Sequence, residues 1–317
     1  MTDQDLLDRE RTEQAPFDAI IVGGGPAGLT CAIFLGRYRR RVLVIDNGHP
    51  RNYATHSIHG FLGQHGIAPS ELLERGRAEA RDSGVDFLEG RVTAIERDGD
   101  VFNVITDPDT DNILRARRIV LAYGVRDTLP DIPEIESYYG RTVHHCPDCD
   151  GYEARDQRIG VIGWGTSVAG LALKLLQWSD DIVVFTHGHP REWDEELHSK
   201  LLAEQIDIKD EPVIALVGTE GRIAAAVLAT GERVPAQRLF FTIGAKRSTT
   251  LAEDLGCDVD PDKPDILVNE HRRTTVDGVW AIGDLAPGAQ LVITSAADGA
   301  IAAIDINKTL LPPSRVV

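Results

Sequence analysis

The stretch FDAIIVGGGPAGLTCAIFLGRYRRRVLVID, Phe17 to Asp46, decides the fold. Phe17 to Val22 is an apolar run of strand length. The turn GGGPAG follows, a helix-like segment extends to about Tyr38, and a second apolar run covers Arg41 to Ile45. In Gly23-x-Gly25-x-x-Gly28 the first glycine permits a tight turn, the second lets a pyrophosphate approach the backbone, and the third lets helix and strand pack closely. The opening of the helix adds a partial positive charge for the phosphates. Asp46 stands 23 residues after Gly23 at the end of the second strand, where a carboxylate can accept ribose hydroxyls. Strand, turn, helix and strand in this order predict a dinucleotide-binding unit.

The same order returns 140 positions later, with the run Arg158 to Ile162, the turn GWGTSVAG from Gly163, a helical segment to about Trp178, and the strand-like Ile182 to Phe185. Each copy continues into short alternating segments and closes on a strand: RIVLAYG, ending at Gly124, and RLFFTIG, ending at Gly244. After Gly244 no third copy begins. A Pro/Asp-rich stretch, the strand and turn VWAIGD and an Ala/Ile-rich helix complete the first unit instead. The expected fold is α/β, with two Rossmann-like dinucleotide-binding domains of the three-layer ββα type, the second inserted in the first. The expected domains are 1–126 with 247–317, and 127–246.

Composition narrows the function. With 42% hydrophobic and 26% charged residues the 317-residue chain reads as globular, and its length suits two domains. A net charge of -17 repels phosphate backbones and anionic lipid surfaces, so neither nucleic acid nor membrane is an expected partner. Residues 1–14 are polar and acidic on balance, unlike a secretory leader, which suggests the cytoplasm. The uncharged stretch Ala19 to Gly36 is long enough to span a bilayer, but glycines and a proline interrupt its middle.

Of the four cysteines only Cys146 and Cys149 are close, in CPDC. That spacing can close a small disulfide, and Pro147 can pre-set a turn or a first helical position. His144 and His145 precede the pair and open a zinc reading, but neither Cys31 nor Cys257 belongs to the second ligand pair that zinc would need. A redox pair with no metal is the preferred reading, and Cys31 is read as a core residue.

GGGPAG, CPDCDG, the second glycine turn and WAIGD together resemble the low-molecular-weight thioredoxin reductases over nearly the whole chain. The resemblance implies FAD in the first domain. Gly23, Gly25, Pro26 and Ala27 would lie at its pyrophosphate, Asp46 at the adenosine ribose, and Gly283 and Asp284 beside the ribityl and phosphate groups. Gln290 and Leu291 would approach the isoalloxazine ring, with Asn52 facing the flavin and Gly124 counted among the cofactor residues. It further implies that Cys149 faces the flavin, that Cys146 exchanges with the partner, that Asp150 assists proton transfer, and that the protein is a homodimer. DNGHPRN and HGFLG, from Asp46 and His59, are similar to a branch that includes dithiol oxidases of the gliotoxin type.

The second glycine turn departs from this pattern. Gly163, Gly165 and Thr166 are present, but Trp164 stands at the pyrophosphate approach and Val168 at the third small position. Thr186 replaces the acid that NAD would need. For the 2′-phosphate of NADPH the chain offers only His187, His189 and Arg191. Use of NADPH is therefore left open beside a ferredoxin or another flavoprotein as electron donor. The partner would be a thioredoxin-like protein or a small disulfide or dithiol. Two alternatives remain: a dithiol oxidase passing electrons to dioxygen, and a flavin redox sensor without turnover.

Overall fold

A computed structural model describes residues 15–107 and 113–315; the polar stretch 1–14 lies outside them. Two compact units emerge. One comprises the chain to Arg51, Ser70–Arg126 and Lys246 onward; the other comprises Asn52–Pro69 and Asp127–Ala245. The segment 52–69, expected with the flavin half, packs instead with the later residues.

In the first unit, five strands form a parallel sheet in the order Val279–Ala281, Ile119–Leu121, Ala19–Val22, Val42–Asp46, Asp86–Glu89. Such a sheet is covered on both faces, which is why its strands are continuous apolar runs; Ala19–Val22 is buried throughout. From this central strand the chain moves first to one side and later returns on the other. The glycine turn therefore lies at a switch point, beyond the carboxyl ends of the strands, where open α/β sheets bind ligands.

The first helix, Pro26–Arg37, has proline in its first turn and closes before Arg39, whose φ is 60°. It packs on the last helix, Val292–Thr309, at a seam of small residues: a methyl group on Gly299 would stand 2.3 Å from the Ala27 carbonyl oxygen. Trp280, Ile21, Leu35, Val44 and Ile306 fill the core between sheet and helices. Each such side chain contributes about 1.5–3 kcal/mol through burial.

The second unit repeats the plan. Its parallel sheet has the order Asp207–Lys209, Ile182–Phe185, Ile159–Gly163, Arg238–Thr242, Val143–His144. The helix Gly165–Leu175 ends three residues before the expected Trp178. Each unit also carries a three-stranded antiparallel meander, Arg91–Asp98 with Val101–Asp107 and Leu114–Ala116 in one, Val213–Thr219 with Arg222–Leu228 and Arg233–Pro235 in the other. At two of its four crossings between units the chain runs along short paired strands, Val125–Asp127 and Ala245–Arg247. Among the described residues no helix is long and apolar enough to cross a membrane.

Candidate active site

Of the residues expected at a flavin, all but Asn52 belong to the first unit. Gly23 has φ 111°, and a Cβ there would lie 2.3 Å from the Ala122 carbonyl oxygen; one on Gly28 would lie 2.0 Å from the oxygen of Gly23. Both positions admit only glycine. At Gly25, in contrast, a Cβ would meet nothing within 4 Å. Gly25 opens the helix with no side-chain cap and no acidic residue in the first turn. The space beside this helix start is open, which suits a pyrophosphate.

Asp46 ends its strand directly over the turn, since a Cβ on Gly24 would lie 2.7 Å from its Oδ2. The same oxygen accepts a hydrogen bond from Arg77, a partner that sequence reading missed.

Gly283 (φ 70°) rests against the first turn, where a Cβ would be 2.9 Å from the Ala27 Cβ. Its amide donates to Asp298 Oδ2 at 3.3 Å. Asp284 accepts from Ser295 Oγ at 3.2 Å and from Arg51 Nη1 at 2.8 Å; the same Arg51 nitrogen donates to Gln290 Oε1 at 2.8 Å. Leu291 caps the last helix, its amide donating to Thr294 Oγ1 at 3.1 Å. Gly124 has φ 66° and its carbonyl accepts from Ser248 Oγ at 3.3 Å. Asn52 lies apart from this group in the division of the chain, in a turn where its carbonyl accepts from Thr55 N at 3.0 Å. Arg51, adjacent to Asn52 in DNGHPRN, is the side chain of that segment that meets Asp284 and Gln290.

In the second unit Cys146 and Cys149 are joined by a disulfide. Cys146 is the N-cap of the short helix Pro147–Asp150, and its sulfur accepts the Cys149 amide at 3.1 Å. An N–H aimed at this sulfur stabilises negative charge on it. Gly151 lets the helix seat against Trp178, whose ring a Cβ there would meet at 2.7 Å. Asp148 pairs outward with Lys174 at 2.6 Å. Asp150 Oδ2 lies 3.3 Å from Nδ1 of the buried His144. His145 Nδ1 faces the Asp127 carboxylate at 3.4 Å, which also accepts from Tyr139 Oη at 2.7 Å. The segment 52–69 reaches this neighbourhood through His59, 3.6 Å from Glu153. Among the described residues no group of three or more His, Cys, Asp or Glu is placed to hold a metal ion.

The second glycine turn is differently furnished. Gly163 is closed against Thr242 and Val168, and Gly165 has φ 66°. The Trp164 indole stacks on His189 with ring centroids 3.9 Å apart. Thr166 is exposed beside them. Arg191 makes a two-pronged contact with Asp210, Nε to Oδ1 at 2.8 Å and Nη2 to Oδ2 at 2.6 Å. The hydrogen bond from Arg191 holds the Asp210 carboxyl below its ordinary range. His187, at φ 55°, accepts the Val213 amide on Nδ1 at 3.1 Å. Burial, followed by the neighbouring His189, pushes its pKa down, so it is neutral at pH 7.

Residues 17–299 match the family described as pyridine nucleotide-disulphide oxidoreductase. The chain belongs to this family. Its structure resembles that of HlmI, at TM-score 0.88 and 37% identity, covering 94% of this chain and 93% of that one. A probable thioredoxin reductase of Arthroderma benhamiae is 29% identical over 84% of this chain and 74% of its own length. The bifunctional thioredoxin reductase/thioredoxin of Mycobacterium leprae is 30% identical over 92% of this chain and 66% of its own. The protein is accordingly a thioredoxin reductase-like flavoprotein, an FAD-dependent disulfide oxidoreductase. The open helix start at Gly25 and the fixed carboxylates of Asp46 and Asp284 fit that cofactor.

Proposed function

We propose that this flavoprotein passes electrons through the Cys146–Cys149 pair to the disulfide of a thioredoxin-like protein, and that its electrons do not enter through a pyridine nucleotide. FAD, held by Gly23, Gly25, Pro26, Ala27, Asp46, Gly124, Gly283 and Asp284 with Gln290 and Leu291 toward its ring, supplies two electrons at a time. Cys149 is the flavin-facing sulfur. Cys146 attacks the external disulfide, because its sulfur receives the helix-start amide. A mixed disulfide forms, the Cys149 thiolate displaces the partner, and the internal S–S bond closes again. Asp150, in the same helical turn, carries a proton for the pair.

The observation that carries the exchange step is the bonded CPDC pair at a helix start with Asp150 inside the helix. Fusion of a thioredoxin to the Mycobacterium leprae relative supports the choice of partner. The reading of the donor rests on the second glycine turn. An indole stacked on imidazole occupies the phosphate approach, Arg191 is matched by Asp210, and neutral His187 is engaged by a backbone amide. A 2′-phosphate would find little uncompensated positive charge there. Anaerobic titration of the holoprotein with NADPH, NADH and dithionite, following flavin absorbance, tests this. Dithionite should bleach the flavin and neither nucleotide should do so at stoichiometric amounts; stoichiometric bleaching by NADPH would contradict the donor reading.

A further inference from the structure

His144 connects the edge of the second sheet to the redox helix, and its two nitrogens are accounted for in a way that constrains a proton. The residue is 7% exposed, lies in register with Phe240 of the neighbouring strand, and packs its ring against that phenyl with centroids 5.5 Å apart. Nε2 stands 3.1 Å from the Arg141 carbonyl oxygen. A carbonyl only accepts, so Nε2 carries a hydrogen. Nδ1 is left facing Asp150 Oδ2 at 3.3 Å. A proton on Nδ1 or on the carboxyl therefore lies within reach of the other group.

We propose that His144 and Asp150 form a dyad that shares this proton and lends it to the Cys146–Cys149 pair, with His144 as the positioning residue. The inference rests on the reading of Asp150 as the proton carrier. When the internal S–S bond breaks, the sulfurs take two electrons from the reduced flavin, the dyad protonates one thiolate, and the other stays ionised. When the external disulfide takes the two electrons, the internal S–S bond re-forms and the thiol's proton returns to the dyad. The external dithiol draws its own two protons from solvent, and the dyad ends the cycle as it began. Arg238, on the adjacent strand, interacts electrostatically with Asp150, Glu153 and Arg222. His145 is engaged separately with Asp127.

Anaerobic stopped-flow reduction of the bound flavin by excess dithiothreitol reads the step, because electrons must enter through the pair. Rates would be taken between pH 6 and 9 for the wild type, Asp150→Asn, His144→Ala, His144→Gln and the double variant Asp150→Asn/His144→Ala. Asp150→Asn should slow bleaching by about 100-fold, at the lower end of general acid–base effects. His144→Ala should slow it at least tenfold, and the double variant should be within about threefold of Asp150→Asn, since members of one unit are not additive. Both single changes should flatten the pH profile. His144→Gln keeps an N–H for the Arg141 carbonyl without a titrating nitrogen, so it should be as slow as His144→Ala; this holds the test if the alanine variant loses FAD. Wild-type rate in His144→Gln, or losses that multiply in the double variant, would overturn the dyad while leaving Asp150 in place. An undiminished rate in Asp150→Asn would instead overturn the reading on which the dyad rests.

Discussion

The four cysteines of the chain are sorted by their surroundings. Cys31 is fully buried on the first helix, and burial alone pushes its thiol far above the ordinary range. Cys257 is raised as well, chiefly by burial. Cys146 and Cys149 are only partly covered and sit at a helix start. After mild reduction, brief alkylation of the folded protein should therefore label two thiols, both in the peptide containing CPDC, by mass spectrometry. Labelling of Cys31 at a comparable rate would contradict the burial argument. The reactive pair was legible because local spacing suffices to define it. The longer-range contacts were not, because Arg51 meets Asp284 across 233 positions and His144 meets Asp150 only when a strand edge and a helix are brought together. Asp46 shows the same limit: its place at the strand end was readable, its bond to Arg77 was not.

Both glycine turns were recognisable as elements because each lies between an apolar strand and an apolar helix, and the parallel sheets followed from that order. Close packing of helices that are distant in sequence was invisible. Gly299 is one position in an Ala/Ile-rich helix until the first helix is laid against it, 2.3 Å from a would-be methyl. Gly299→Ala should force the first helix away from the last at a cost of about 1–3 kcal/mol, and should loosen FAD because Ala27 lies at that seam. Thermal melting with and without added FAD measures both effects. An unchanged melting temperature with undiminished flavin content would show that the seam is slack. The second turn illustrates a different point. Its glycines were readable, as was the steric objection of Trp164, but the stack on His189 and the capture of Arg191 by Asp210 required the fold. The segment 52–69 groups with the second unit and contributes no strand to either sheet, so periodicity has nothing to act upon there.

At the scale of the whole molecule, one unit holds the first glycine turn and the other the Cys146–Cys149 disulfide, and the chain crosses between them four times, at 51/52, 69/70, 126/127 and 245/246. Family membership accounts for both halves, and the second glycine turn is furnished with an indole stacked on imidazole. The account stands on electron traffic between bound flavin and the CPDC sulfurs. The visible spectrum of the purified protein, recorded anaerobically during addition of dithiothreitol to the wild type and to Cys149→Ser, tests this most directly. Both should be yellow, the wild type should lose its flavin absorbance, and the variant should keep it. A colourless protein that takes up no FAD, or a Cys149→Ser flavin bleached as fast as the wild type, would contradict the account.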